Sequence, residues 1–161
     1  MSFVISALSP EPFAPIFALG DAELTARGMR RVSVDRPGYP CRVSLRDSEP
    51  GEVVLLLNYE HQSAPTPYRA SHAIFVRQGA VQARPRPGEV PPCLRPRLLS
   101  LRGFDEAGIL HMAEVVDGAA LEAGLHAMLG AAGVAYVHIH NARHGCYLAL
   151  ARHAQAHHAQ G

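Results

Sequence analysis

Lysine and tryptophan are both missing from this chain of 161 residues, and all 15 of its lysine-or-arginine positions are arginine. Without lysine the chain cannot form a Schiff base of its own or supply a Walker-type phosphate lysine. Arginine is left as the one permanent cation, a planar fork suited to carboxylate or phosphate. Cysteine is scarce and odd in number: Cys41, Cys93 and Cys146 form no close pair and no CxxC, which argues against a disulfide framework and a zinc ribbon. A formal net charge of +1 gives no electrostatic case for nucleic acid or an anionic membrane. No run approaches the ~18 apolar residues needed to span a bilayer. No basic residue precedes Arg27, and Pro10, Pro12 and Pro15 break the first apolar run, so no secretory signal is read and a soluble cytoplasmic protein is expected. GxSxG, GxGxxG, HExxH and an RNA-binding aromatic–basic strand are all absent.

What is present is a globular composition, 48% hydrophobic, in a length that fits one domain over 1–161 with a short tail from about 153. Segments 2–8, 29–34, 41–45, 52–59 and 72–77 read as strands. The continuous apolar centre of 52–59 suggests a strand in the middle of a sheet. Asp21 is placed to cap a short helix over 22–27. Segments 97–102 and 109–116 form a hairpin around FDEAG, and the proline- and arginine-rich 79–96 an exposed connection. Leu121, Leu125, Met128 and Leu129 fall at helical spacing, so 118–132 is the principal helix, with Asp117 as cap and Gly133 as stop. The pattern predicts an α+β fold: a mainly antiparallel sheet of about six to eight strands with one helix packed on it, or alternatively a small closed barrel with a helix.

Chemical capacity concentrates in 133–151, GVAYVHIHNARHGCYLALA. Strand alternation puts Val134, Tyr136, His138 and His140 on one face and Ala135, Val137 and Ile139 on the other, before a turn ending at Gly145 and a returning strand. Together with PGYPCRVSLRD (37–47), EPGEVVLLLNYEH (49–61) and TPYRASHAIFV (66–76), this stretch resembles the bacterial family catalogued as domain of unknown function 1203. The resemblance covers nearly the whole chain. It implies a domain of this length and carries no activity and no catalytic roles.

Three constellations deserve weighing. His138 and His140 on one strand face stand roughly 6.5–7 Å apart at Cα, close enough to share an ion if His61, Cys146, Cys41 or Glu60 supplied a third ligand; otherwise they are hydrogen-bonded histidines at a sheet rim or metal-free acid–base groups. Arg42, Arg69 and Arg143 sit at turns or strand ends and would form an anion pocket if those ends met, with Tyr68 orienting the ligand; otherwise each is a latch to Asp47, Glu52 or Glu60. Cys41 beside Arg42 could be a nucleophile with His61 or His138 as base, or a small buried residue. The helix stripe is core packing, His111 and His126 lie on polar sides, and His157 and His158 are solvated.

The first functional reading is therefore a small-molecule binding or enzymatic domain for an anionic ligand. Its pocket is lined by Arg42, Tyr68, Arg69, His138, His140, Asn141 and Arg143, with the two histidines moving protons if it catalyses. The second is a non-catalytic interaction or homodimerisation module using an open strand edge or the 79–96 loop. The third is a His-ligated metal-dependent enzyme. No cofactor is legible.

Overall fold

The computed structural model describes residues 2–155, so the expectation for His157 and His158 lies outside the described residues. The strands are β1 (Phe3–Ser6), β2 (Arg30–Ser33), β3 (Tyr39–Pro40), β4 (Asp47–Ser48), β5 (Val53–Gln62), β6 (Ala70–Arg77), β7 (Leu98–Phe104), β8 (Leu110–Asp117), β9 (Tyr136–Asn141) and β10 (Tyr147–His153). Three helices join them: α1 (Ala14–Phe17), α2 (Asp21–Ala26) and α3 (Leu121–Leu129). The fold is α+β with antiparallel strand pairs and one principal helix, and the sheets do not close into a barrel. The strands divide among a five-stranded sheet ordered β1-β10-β9-β7-β8, a three-stranded sheet β2-β5-β6 and the short pair β3-β4.

Strand alternation decides where each sheet face goes. Val137 and Ile139 of β9 point to α3 and join Leu99, Leu101, Leu121, Leu125 and Met128 in the larger core. The helical stripe is buried as its spacing requires, each such side chain contributing roughly 1.5–3 kcal/mol. The helix is shorter than 118–132: Gly118–Ala120 is a 3-10 turn, and α3 ends at Leu129, capped by Gly130, whose N–H makes an α-type bond to His126 O before Ala131 N–H tightens to Met128 O. Asp117 occupies the cap position but makes no side-chain capping bond. At α2 the cap is Gly20, and Asp21, one residue inside, pairs with Arg31 instead.

A second core fills the space beside the smaller sheet: Phe13, Leu24, Cys41, Val43, Leu55, Leu57, Ile74 and Val76. As its apolar run suggests, β5 is the central strand there. The expected strand over 41–45 is a turn. Leu45 N–H donates to Cys41 O at 2.9 Å, and Leu45 itself takes a positive φ of 53°. Cys41, Val43 and Leu45 are all buried, but so is Arg42 between them, which a half-buried strand would have sent outward. The alternation marked burial, not extension.

Candidate functional site

Polar side chains gather at two places, and of the segments expected to meet, 41–45 and the β9–β10 tip do so, at the second of them. The first is the layer between the large and small sheets. Register sets Ser100 opposite His140, Arg102 opposite His138 and Phe104 opposite Tyr136, so these six share the face turned away from α3. From the other side β5 delivers Tyr59 and His61. The ring of His61 lies 4.8 Å from His140 and 6.0 Å from His138, centroid to centroid, and stacks on Tyr147 at 5.5 Å. Phe104 and Tyr147 enclose His138 at 5.1 and 5.3 Å.

The tautomer of one imidazole is fixed: His140 Nδ1 donates to Gly145 O at 3.0 Å, which leaves Nε2 with a lone pair. That Nε2, with His61 Nδ1 and His138 Nδ1, is buried and has no hydrogen-bond partner among the described residues. Burial first, then the Arg102 guanidinium and the neighbouring imidazoles, hold these rings neutral: His61 is pushed down to about 4, and His138 and His140 to about 3. His61 is thus the residue that joins the HxH pair. Even so, among the described residues no three His, Cys, Asp or Glu side chains stand where they could hold a metal ion.

The second place is a cleft of about 720 Å³ at the tip of the β9–β10 hairpin. The tip is shaped by Asn141, whose Oδ1 accepts from Arg143 N–H at 3.0 Å and His144 N–H at 3.3 Å, and by Gly145 at a φ of 79° that favours glycine. With both bonds on the oxygen, the Nδ2 amide of Asn141 is left to donate elsewhere. Arg143 and His144 are exposed at the mouth, and His72 of β6 approaches Gly145.

Arg42 is the largest of the fully buried side chains, 1% exposed, and it lines this cleft. Its Nε donates to Tyr147 O at 2.8 Å and its Nη1 to Pro40 O, which pins the 41–45 turn to β10. Burial lowers its pKa, and the side chains that act on it besides are Cys146, which also hydrogen-bonds it, Cys93 and the Arg97 guanidinium, none of them a carboxylate. In the lining the one acid is Asp47, already held by Arg97 in a two-pronged pair at 2.8 and 3.2 Å. Arg42 and Arg143 therefore bring positive charge that the cleft itself does not neutralise.

Of the seven residues expected to share one pocket, Arg42, Asn141 and Arg143 line the cleft. His138 and His140 lie in the inter-sheet layer instead, because strand parity turns them inward onto β5. Arg69 is a surface latch to Glu60 at 2.9 Å, and Tyr68, 41% exposed, leans edge-on toward Phe104. Cys41 is packed in the smaller core, its sulfur accepting Ser44 and Arg77 N–H groups, and it does not line the cleft. Arg97 and His72 join the cleft without having been singled out from sequence. Their signals were positional: Arg97 follows Pro96 at the entry to β7, and His72 sits two residues into β6. Among the described residues no helix is long and apolar enough to cross a membrane.

Compared with known proteins, residues 38–152 match the model of a family described as "Protein of unknown function (DUF1203)". No curated protein and no solved structure matches the chain. The matched span holds Arg42, the His61–His138–His140 layer and the whole hairpin tip.

Proposed function

The chain belongs to the DUF1203 family, and since that membership brings no activity with it, we propose from the chemistry of the cleft that this protein binds a small anionic molecule there. The observation that carries the reading is Arg42. A buried guanidinium without a carboxylate is costly to maintain, because the low-dielectric interior penalises an uncompensated charge by several kcal/mol in order of magnitude. Two backbone carbonyls offset part of that cost; an anion arriving from the cleft would offset the rest. Arg143 and the Nδ2 amide of Asn141 add donors to the same lining, and a volume of about 720 Å³ is in the range of small-molecule sites. The proton-transfer role expected of His138 and His140 forms no part of this proposal, because neither lines the cleft.

The test is a thermal-shift and calorimetric titration with benzoate and inorganic phosphate, on the native chain and on Arg143→Ala. Arg143 is exposed, so its removal leaves the fold intact. The expected result is a raised melting temperature for the native chain with at least one of the two anions. Arg143→Ala should bind it about tenfold or more weakly, the worth of one charge-assisted hydrogen bond. If neither anion shifts the native protein, the reading is refuted.

A further inference from the structure

The lining of the cleft is unequal in character, and that inequality says more about the occupant than its charge alone. Hydrogen-bond donors come from the hairpin tip and the 41–45 turn, Arg42, Asn141, Arg143 and His144, with His72 and the Asp47-paired Arg97 beside them. Much of the remaining lining is hydrocarbon. Leu56 and Phe75 are register partners on the smaller sheet, so their side chains share a face, and Phe75 packs against the ring of Tyr39 at 5.0 Å. Leu98 opens β7 and is 36% exposed beside them in the lining.

Pro37, Pro40 and Pro96 complete this part. A proline has no backbone N–H, so these positions offer a ligand ring carbons and no donor. A bare inorganic anion would satisfy the guanidinium groups and leave this surface wet. A neutral apolar molecule would cover the surface and leave Arg42 unpaired.

We propose that the natural occupant is an amphipathic organic acid, an anionic head on Arg42, Asn141 and Arg143 with an apolar body lying on Leu56, Phe75 and Leu98. This rests on the anion-binding reading and narrows it to one substrate class. The donor geometry suits a head with two acceptor oxygens. Arg42 gives Nε to Tyr147 O and one Nη1 hydrogen to Pro40 O, with the Cys146 sulfur also bonded to its guanidinium, so its remaining N–H groups and the Asn141 amide are the donors available to a head, from two residues.

The experiment is calorimetry with a homologous series, acetate, butyrate, hexanoate and octanoate, with inorganic phosphate as the anion without a body and 1-octanol as the body without a charge. Affinity should rise about two- to fourfold for each added methylene as it leaves water, and octanoate should exceed both phosphate and octanol by at least about tenfold. Two variants separate head from body. Arg143→Ala should weaken every acid by a similar factor and leave the chain-length gain unchanged. Leu98→Ser, at a partly exposed position that the fold tolerates, should flatten the chain-length gain and leave acetate untouched.

Equal binding of phosphate, acetate and octanoate would overturn the amphipathic class while leaving the anion site standing. Binding of octanol as tight as octanoate would overturn it in the other direction, showing an apolar groove indifferent to charge. Failure of the whole series together with phosphate removes the anion-binding reading on which this one depends.

Discussion

An imidazole buried beside a guanidinium loses more by gaining a proton than one in water does. His61, His138 and His140 are therefore neutral in the folded protein, pushed down to about 4, 3 and 3. In the unfolded chain each titrates near ~6.5. Between those values the unfolded state binds more protons, so stability is fully present above about pH 6.5 and is lost progressively as pH falls toward the folded-state values. Arg102 faces all three rings, with His72 near His61 and Arg152 near His138, and each adds to the penalty. The expected outcome is unfolding coupled to the uptake of as many as three protons, read from denaturant titrations between about pH 7 and pH 5. His138→Phe should remove about one proton from that slope. A stability that stays flat over the interval would show that these rings are solvated and free to charge.

Elements meet where side chains are small enough to let backbones touch. Gly118 opens the 3-10 turn ahead of α3, and its N–H donates to Arg97 O at 2.8 Å. A Cβ built there would come within 2.1 Å of Leu94 O and 2.4 Å of Arg95 O, both backbone atoms that cannot swing aside. Gly118→Ala should therefore destabilise by about 1–3 kcal/mol or somewhat more, the cost of overpacking a filled site, measured by chemical denaturation. Because the segment ahead leads through Arg97 and Leu98 into the cleft, the same variant should weaken anion binding. Gly124→Ala makes a useful control, since its new Cβ would meet only the end of the Leu101 side chain at 3.0 Å and Val116 methyls beyond.

How far such elements could be read beforehand follows the same physics. Alternation and helical spacing are local, so the β9–β10 hairpin, the apolar stripe of α3 and the central position of β5 were legible. So were the two faces of β9, because parity along a strand is fixed by geometry. The turn at 41–45 was not, since Cys41, Val43 and Leu45 are spaced as in a strand and only the burial of Arg42 between them tells the two apart. The site was legible only by halves. The sequence offers His61, Cys146, Cys41 and Glu60 alike as a third group for His138 and His140, and β5 brings His61 to the pair. Nothing local told that Arg69 would be taken by Glu60, or that Arg97 would claim Asp47 and so leave Arg42 without an acid. Those choices depend on which strand ends are neighbours, a property of topology alone.

At the scale of the molecule, a formal net charge of +1 hides an uneven distribution. Most arginines pair with nearby acids, as Arg27 does with Glu23, Arg77 with Glu52 and Arg95 with Glu122. The cleft keeps an unneutralised pair, Arg42 inside and Arg143 outside. Ionic strength should separate them. Raising salt from about 0.05 to about 0.5 M shortens the Debye length to a few ångströms and screens the exposed charge far more than the buried one. Binding of a small organic anion should weaken about three- to tenfold over that range in the native protein and much less in Arg143→Ala, as measured by calorimetry. Equal salt sensitivity in both would place the attraction somewhere other than Arg143.

Tyr147 belongs to both places at once. Its peptide oxygen holds the guanidinium at the base of the cleft, and its ring is wedged against His61 between the two sheets. The base of the cleft and the histidine layer are thus joined through one residue, so a change at position 147 would disturb both.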